Sequence, residues 1–240
     1  MTQNPLGQPI GDPLPDWVIP PRPSRAALHG RYCTLEPLDP AAHAPLLWEA
    51  FARDADARDW TYLSQGPYDT FADFAAWAQH AAATDDPLFF SIVVPGDGAV
   101  GVASYLRIAP DAGSIEVGHI HLSPLLQRTP AATEAMFLMM QQAFTLGYRR
   151  YEWKCDSLNA PSRAAAERLG FTFEGVFRNA LVYKSRNRDT AWYSIVESEW
   201  LWLREVFQQW LADTNFDGAG RQRTRLSDLV NSARMARNRA

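Results

Sequence analysis

Two kinds of connection between strands occur along this chain. The turn Pro95-Gly96-Asp97-Gly98 separates two strand-like segments, as in a β-hairpin. Farther along, an apolar repeat of helical period runs from about residue 130 to 146 between two further strand-like segments, and Gly147 ends it. Hairpins in the middle and helical crossovers near the end of one chain indicate a mixed α/β sheet.

The other elements follow from periodicity and from capping residues. Asp39 and Pro40 suit the N-cap and the first position of a helix, and Thr70 suits the N-cap of another. Strands are predicted over residues 31–38, 88–94, 99–108, 114–122, 151–156, 171–183 and 190–198. Helices are predicted over residues 40–53, 70–83, 130–146, 161–169, 199–211 and 226–237.

A proline-rich segment precedes these elements. Residues 1–24 hold seven of the seventeen prolines, which excludes a helix or a central strand there because proline fixes φ and lacks an N–H. Either Trp17 and Ile19 lay this arm on the domain surface, or it is a loose leader. We therefore divide the chain into this arm, a main domain over 25–200 and a helical extension with an arginine-rich tail over 201–240.

Composition argues against several classes of protein. The formal net charge is −4 and the pI about 5.7, so nucleic acid is an unlikely partner. No apolar run reaches the roughly 18 residues of a membrane span, and no cleavable signal pattern is present. Cys33 and Cys155 cannot build a disulfide framework and fit a reducing compartment. We expect a globular cytoplasmic protein without a membrane partner.

The turn before the helix at 130–146 has the composition of an anion site. A helix N-terminus presents unpaired N–H groups and a partial positive charge. Arg128 adds a full charge, and Thr129 is a good N-cap. Ala131 and Ala132 are small enough for a phosphate to approach the backbone. From these residues alone, a pyrophosphate cradle and a well-capped core helix both remain open.

Six short motifs occur in order along residues 30–200. They are Thr34-Leu35-Glu36-Pro37-Leu38, Glu116-Val117-Gly118-His119, Gln127-Arg128-Thr129-Pro130-Ala131-Ala132, Thr133-Glu134-Ala135, Asn159-Ala160-Pro161-Ser162 and Gly170-Phe171. Together they resemble the GNAT superfamily of acetyl-CoA-dependent N-acetyltransferases, and within it the branch of ribosomal-protein N-terminal acetyltransferases. Two positions depart from the family pattern: Pro130 stands at a usual glycine, and Ala166 stands where many members have a tyrosine acid.

The resemblance implies a fold and a co-substrate. The fold is a central twisted, mostly antiparallel sheet with a splayed pair of strands and with helices on both faces. Acetyl-CoA is the acetyl donor, no metal is needed, and the pantetheine arm fills the gap between the splayed strands. Backbone N–H groups of residues 121–123 would polarise the thioester carbonyl. The implied cofactor-binding residues are His121, Leu122, Gln127, Arg128, Thr129, Ala131, Ala132, Asn159 and Ser162.

Acetyl transfer to an amine also needs a base, and Glu116 matches the family's glutamate. The alternative for Glu116 is a structural carboxylate paired with an arginine. His119 and His121 are two residues apart, so strict alternation places them on one strand face, opposite to Glu116. Either histidine could act as a base by its ordinary pKa. A His-x-His metal site is the other possibility, but no third ligand is indicated nearby.

Aromatic residues are candidates for acceptor binding. Trp60, Tyr62 and Tyr68 belong to the loop that overhangs the acceptor site in the resembled fold, and Trp192 lies on the last predicted strand. Such rings can bind an amine or a substrate side chain by cation–π contact. Core packing is the alternative for Trp192.

Three functional hypotheses follow. The first is an acetyl-CoA-dependent N-acetyltransferase whose acceptor is a small-molecule amine or a peptide N-terminus. The second is a non-catalytic module of the same fold that binds CoA. The third is an interaction protein whose tail at 215–240 docks on RNA or the ribosome. A homodimer is also possible, through a face that would include Trp200, Trp202 and Trp210; packing of these side chains onto their own domain is the alternative.

Overall fold

The computed structural model describes residues 2–237, and every predicted strand and helix is present with ends shifted by a few residues. The strands are β1 (Thr2–Gln3), β2 (Pro9–Ile10), β3 (Leu28–His29), β4 (Thr34–Pro37), β5 (Leu88–Val94), β6 (Gly98–Ala109), β7 (Ser114–Leu122), β8 (Arg150–Asp156), β9 (Thr172–Tyr183) and β10 (Arg186–Val196). The helices are α1 (Pro40–Phe51), α2 (Phe71–Ala83), α3 (Pro130–Thr145), α4 (Ala160–Arg168), α5 (Glu197–Leu211) and α6 (Leu226–Arg237).

Eight of these strands form one sheet in the order β3-β4-β5-β6-β7-β8-β10-β9. All neighbours are antiparallel except β7 and β8, which helix α3 connects as a parallel pair. β1 and β2 pair separately within the N-terminal arm. The predicted mixed, mostly antiparallel sheet is therefore confirmed.

The parallel pair opens into a gap. β7 and β8 are in register only as far as Val117 and Trp153. Beyond that point β7 stays paired with β6 as far as Leu122, and β8 stays paired with β10. The last residues of β7 and β8 therefore diverge, which confirms the splayed pair of strands.

Helices cover both faces of the sheet. The neighbouring residues Phe89 and Phe90 of β5 belong to different buried clusters, because side chains alternate along a strand. The cluster that contains Phe89 includes residues of α1 and α2, and the one that contains Phe90 includes residues of α3, α4, α5 and α6. None of the helices within residues 2–237 is long and apolar enough to cross a membrane.

The two C-terminal helices belong to the core of the main domain. Trp200, Trp202 and Trp210 are only 4 to 8% exposed. Trp200 stacks on Phe144 of α3 with ring centroids 5.1 Å apart. The tryptophans therefore pack onto their own domain and offer no exposed dimer face. The predicted boundary after residue 200 falls inside α5, whose buried residues belong to the same cluster as those of α3 and the sheet.

The N-terminal arm lies on the domain surface. Trp17 packs over Gly113, where an added Cβ atom would come within 3.2 Å of the indole ring. Pro20 is buried, whereas Ile19 is 55% exposed. The prediction that Ile19 anchors the arm is therefore wrong, because Pro20 takes that place.

Both cysteines are buried and free, which predicts slow reaction with alkylating agents. Burial raises the pKa of Cys33 to about 12, and the nearby Glu134 carboxylate acts in the same direction. Burial also raises the pKa of Cys155. Since the thiolate is the nucleophile, we expect native protein at pH 8 to react with iodoacetamide at least about 100-fold more slowly than unfolded protein. Mass spectrometry measures this, and rapid native labelling would contradict it.

Candidate active site

One backbone N–H group at the end of β7 points into the gap between β7 and β8. The N–H of Ser123 donates to the carbonyl of Val100 at 3.1 Å and so points toward β6. Successive amides of a strand point to opposite edges, so the N–H of His121 also points toward β6 and that of Leu122 points into the gap. Of the three amides predicted to face the gap, only that of Leu122 does so.

The turn between β7 and α3 has the shape of an anion site, with fewer free donors than predicted. Arg128 has a left-handed φ of 63°, and the Thr129 hydroxyl caps α3 by accepting from the N–H of Ala132 at 3.2 Å. The Thr129 N–H donates to a carbonyl within the turn at 3.3 Å. Within residues 2–237, the amides of Arg128 and Ala131 have no protein acceptor, and the Arg128 side chain is exposed.

Gln127 connects this turn to the loop between α1 and α2. Its Nε2 donates to Asp59 Oδ2 at 2.6 Å and to the carbonyl of Leu122 at 2.9 Å. Asp59 lies in that loop, directly before Trp60. Gln127 therefore tethers the turn to the loop, and its contact with the cofactor stays a prediction.

Asn159 caps α4. Its Oδ1 accepts from the N–H of Ser162 at 3.1 Å, and the Ser162 hydroxyl accepts from Trp153 Nε1 at 3.0 Å. The Nδ2 group of Asn159 has no protein acceptor in the part of the chain that the structure describes. Asn159 can thus cap the helix and still donate a hydrogen bond to a ligand in the gap.

Glu116 lies near the point where the gap opens and is 3% exposed. Its Oε1 accepts from Arg107 at 2.6 Å, and Lys154 Nζ lies 2.9 Å from its Oε2. Lys154 also pairs with Glu152 at 2.7 Å. Burial raises the pKa of Glu116, and the attraction of Lys154 and Arg107 opposes this shift without cancelling it. Arg107 is thus the arginine partner expected if Glu116 is a structural carboxylate.

A β-bulge moves His121 to the face that carries Glu116. His119 has a φ of 48°, and β7 advances three residues between the pairs Gly118–Ser104 and His121–Val102, while β6 advances two. The inserted residue reverses the alternation beyond it. The prediction that His121 lies opposite to Glu116 is therefore wrong.

Both histidines line a narrow pocket with Trp60, Tyr68 and Trp77. The loop between α1 and α2 contributes Trp60 and Tyr68, and α2 contributes Trp77. Trp60 and Tyr68 meet edge to face, with ring centroids 5.6 Å apart. Two of the predicted acceptor-binding residues are thus brought together beside the end of β7.

The imidazoles in this pocket are neutral at pH 7. His121 stacks on Phe51 with centroids 3.8 Å apart, and its buried Nε2 has no hydrogen-bond partner within residues 2–237. His119 Nδ1 lies 2.8 Å from Ser104 Oγ. Burial lowers the pKa of His119 to about 4 and that of His121 to about 3. No group of three or more His, Cys, Asp or Glu side chains in the described residues is placed to hold a metal ion.

The other two predicted acceptor-binding residues lie outside this pocket. The Tyr62 hydroxyl donates to the carbonyl of Leu158 at 3.2 Å. Trp192 has Lys154 Nζ 3.7 Å from its ring centroid and Phe177 at 4.4 Å. The cation–π partner of Trp192 is therefore a lysine of the same chain, and the indole itself is half-buried.

A sequence model of a protein family, the acetyltransferase (GNAT) domain, matches residues 33–172, which is more than half of the chain. The chain belongs to the GNAT acetyltransferase family. Among curated protein sequences, none matches it. Its membership of this family identifies the eight-stranded sheet as a GNAT fold and the gap between β7 and β8 as the family's splayed pair.

Solved GNAT structures resemble this one over most of their length. A GCN5-related N-acetyltransferase from Brucella melitensis is 46% identical, covers 91% of this chain and 100% of its own, and has a TM-score of 0.88. A probable acetyltransferase (GNAT family) from Chromobacterium violaceum is 41% identical over 80% of this chain and 97% of its own, with a TM-score of 0.75. An acetyltransferase from Salmonella typhimurium that modifies the N-terminal serine of a 50S ribosomal subunit protein shares the fold at 20% identity, covering 71% of this chain and 99% of its own, with a TM-score of 0.62.

Sequence reasoning missed Arg107, Lys154 and Trp77. A signal for Lys154 exists, because charged residues alternate with Tyr151, Trp153 and Cys155 along β8. That alternation predicts one polar face on a strand in the middle of the sheet. Trp77 lies on an element distant in sequence from His121, and no comparable signal marks it. Arg107 is only nine residues from Glu116, on the strand directly before it, but no motif marks it as a partner.

Proposed function

We propose that this GNAT protein transfers an acetyl group from acetyl-CoA to a primary amine of a small molecule or a peptide. The observation that carries the proposal is the gap beyond Val117 and Trp153, which receives the Leu122 amide and lies beside a turn with two free amides and an exposed arginine. Membership of the family supports acetyl transfer, and the donor, acceptor and residue roles are our inference.

On the donor side, the chain offers separate contacts for a phosphate, an amide and a carbonyl. The amides of Arg128 and Ala131 and the Arg128 guanidinium would bind the pyrophosphate. Asn159 Nδ2 would donate to an amide carbonyl of the pantetheine arm. The Leu122 N–H would stabilise negative charge that develops on the thioester oxygen. Acetyl-CoA supplies the activated acetyl group.

On the acceptor side, the amine must lose a proton as its nitrogen bonds to the acetyl carbon and the carbon–sulfur bond breaks. An α-amino group has a pKa near 8 and a lysine side chain near 10.4, so a base is useful at neutral pH. We propose that Glu116 takes the proton through a water molecule, because its own carboxylate is 3% exposed. Its raised pKa brings it nearer to neutral pH, where a base is more effective.

Arg128→Ala is expected to weaken acetyl-CoA binding by at least about tenfold. The variant removes a charged contact to the pyrophosphate, which the neutral amides of Arg128 and Ala131 cannot replace. Calorimetric titration with acetyl-CoA measures the effect. Arg204→Ala on the exposed face of α5 is the control and should bind as the wild type does. Equal affinity of the Arg128 variant would contradict this assignment of the phosphate site.

The reaction itself is tested by thiol release from acetyl-CoA in the presence of a panel of primary amines. Release that depends on an amine supports the proposal, and mass spectrometry of the acetylated amine identifies the product. A non-catalytic CoA-binding module is the second candidate, favoured by the pairing of Glu116 with Arg107 and Lys154, which suits a structural carboxylate. Tight binding of acetyl-CoA without release on any amine would favour that second candidate.

A further inference from the structure

We propose that Arg107 binds a carboxylate of the acceptor, so that the protein acetylates an amino acid in preference to an amine without an acidic group. This inference rests on the proposed function, because it names the class of acceptor for the same site. Arg107 Nη1 donates to Oε1 of Glu116, the proposed base, at 2.6 Å. A carboxylate on Arg107 would therefore lie beside the group that takes the proton of the amine.

The sheet face that carries Glu116 is open beside Arg107. The apolar cluster beneath α1 and α2 takes its strand residues from β5 and β6, whereas β7 and β8 carry charged side chains on this face. Leu106, which pairs with Glu116 across β6 and β7, is half-buried, and the Arg107 side chain is 54% exposed. An acceptor can therefore reach Arg107 over this face without entering the narrow pocket that the two histidines line.

Arg107 is the cationic end of a chain of ion pairs that crosses the sheet. In order, the members of this chain are Arg107, Glu116, Lys154, Glu152, Arg150 and Glu174. They alternate in charge, so the chain as a whole is neutral. Each inner member contacts an opposite charge on both sides, but within residues 2–237 Arg107 pairs only with Glu116. At the other end, Glu174 also accepts from the Ser194 hydroxyl at 2.7 Å. The unused capacity for a counter-ion therefore lies at Arg107.

The Arg107 side chain has more donors than Glu116 uses. A guanidinium carries five N–H groups, and in the part of the chain that the structure describes they donate only to Glu116 Oε1. The planar fork of a guanidinium matches both oxygens of a carboxylate. Asp86, the other carboxylate close to Arg107, accepts from its backbone N–H and pairs with Arg22 at 3.2 Å. The free donors of Arg107 thus remain available to an acceptor.

A bulge in β6 holds Arg107 in this position. Its φ is 46°, a left-handed value that costs free energy for a residue other than glycine. Between Leu106 and Ala109, β6 carries one residue more than the paired segment of β7. Asp86 fixes the bulge by accepting from two successive amides, that of Arg107 at 2.8 Å and the next at 3.0 Å. Dedicated contacts therefore maintain a strained conformation in which the guanidinium meets the proposed base.

The test compares each amino acid with its amide, which keeps the amine and the side chain but lacks the carboxylate. The probes are alanine, leucine and phenylalanine and their amides, assayed by thiol release from acetyl-CoA. We expect kcat/KM of wild type for at least one amino acid to exceed that for its amide by at least about tenfold. Amides that react as fast as their amino acids, or faster, in all three pairs would overturn the proposal.

Variants of Arg107 separate recognition of the carboxylate from effects on Glu116. A change in the base alters both members of a pair alike, so the ratio of kcat/KM between amino acid and amide reports the contact with Arg107. We expect this ratio to fall at least about tenfold in Arg107→Gln, and by less in Arg107→Lys, which keeps the charge without the fork. Arg204→Gln, on the exposed face of α5, is the control. An unchanged ratio in Arg107→Gln would overturn the assignment.

A measurement on wild type covers the case in which Arg107→Gln does not fold. The inhibitor is the analogue without an amine of whichever amino acid reacts fastest: propionate, 4-methylpentanoate or 3-phenylpropionate. Its amide is the uncharged comparison. We expect the carboxylate to inhibit turnover with an inhibition constant at least about tenfold lower than that of the amide. Equal inhibition constants would overturn the proposal.

Failure of the proposed function has a different signature. Thiol release with amines that lack a carboxylate, and with no amino acid, would support acetyl transfer and overturn the role of Arg107. If acetyl-CoA binds and no amine of any kind releases thiol, acetyl transfer to amines is refuted. The role of Arg107 is then tested by calorimetric titration of the CoA-bound protein with the three carboxylates. Binding that is lost in Arg107→Gln would support it, and no binding of any of them by wild type would overturn it.

Discussion

Glu116→Gln is expected to lower kcat for acetyl transfer by about 10²- to 10⁴-fold, the range that a general base contributes. The variant keeps the shape of the side chain but cannot accept a proton. Acetyl-CoA binding should stay within about twofold of wild type, because Glu116 faces Arg107 and Lys154 and makes no predicted contact with the cofactor. Single-turnover kinetics and calorimetry measure the two effects on the same preparation.

The ion pairs around Glu116 require a control that changes charge without removing the base. Glu152→Gln provides it, since Glu152 pairs with the same lysine at 2.7 Å and belongs to the adjacent strand. Both variants leave Lys154 with one carboxylate fewer, so both should lose stability. If Glu152→Gln lowers kcat as much as Glu116→Gln does, Glu116 acts only through the charge balance of this cluster.

The dependence of kcat on pH also distinguishes a base at Glu116 from an effect of Glu116 on the charge balance of the cluster. Burial raises the pKa of Glu116, so the carboxylate becomes protonated at a higher pH than an ordinary glutamate does. Since only the ionised form accepts a proton, kcat in wild type should fall as the pH is lowered through this raised value. In Glu116→Gln that acidic decline should be absent. An identical profile in both proteins would contradict a role for Glu116 as the base.

The elements of the fold could be predicted because each carries a local signal. Asp39 and Thr129 were predicted as N-caps, and each accepts hydrogen bonds from amides of the first turn of its helix. Helix α3 follows from its apolar repeat, and the hairpin between β5 and β6 from its glycine-rich turn. Such signals depend on residues a few positions apart, so they can be recognised without knowledge of the tertiary structure.

The candidate site could be predicted only in part, because its chemistry depends on residues far apart in sequence. Arg107 and Glu116 lie on consecutive paired strands, whereas Lys154 lies on β8 and reaches Glu116 only because the sheet order places β8 beside β7. The face of His121 depends on one inserted residue at His119, which strict alternation does not anticipate. Arg128 was predicted from a local feature, the turn before a helix, and Asn159 from a local motif of the resembled family; their contacts with a cofactor stay predictions.

Glu134 also contacts residues that are far from it in sequence. Its replacement by alanine should have the largest effect on the free energy of unfolding. It lies in α3, is 5% exposed, and accepts from the amides of Arg31, Tyr32 and Cys33 at 2.8, 2.6 and 2.9 Å. Glu134→Ala leaves these donors without their acceptor, and we expect the free energy of unfolding to fall by about 3–5 kcal/mol. Urea denaturation monitored by circular dichroism measures the change.

Two further variants test whether the loss arises from this contact. A Cβ atom at Gly30 would collide with Glu134 Oε2, so Gly30→Ala should displace the carboxylate and destabilise the protein in the same direction. Glu205→Ala, exposed on α5, should change the free energy by no more than about 0.5 kcal/mol. The amides that Glu134 binds directly precede β4, while α3 begins at the candidate phosphate turn. If Glu134→Ala is as stable as Glu205→Ala, the contact between Glu134 and the amides before β4 does not contribute to stability.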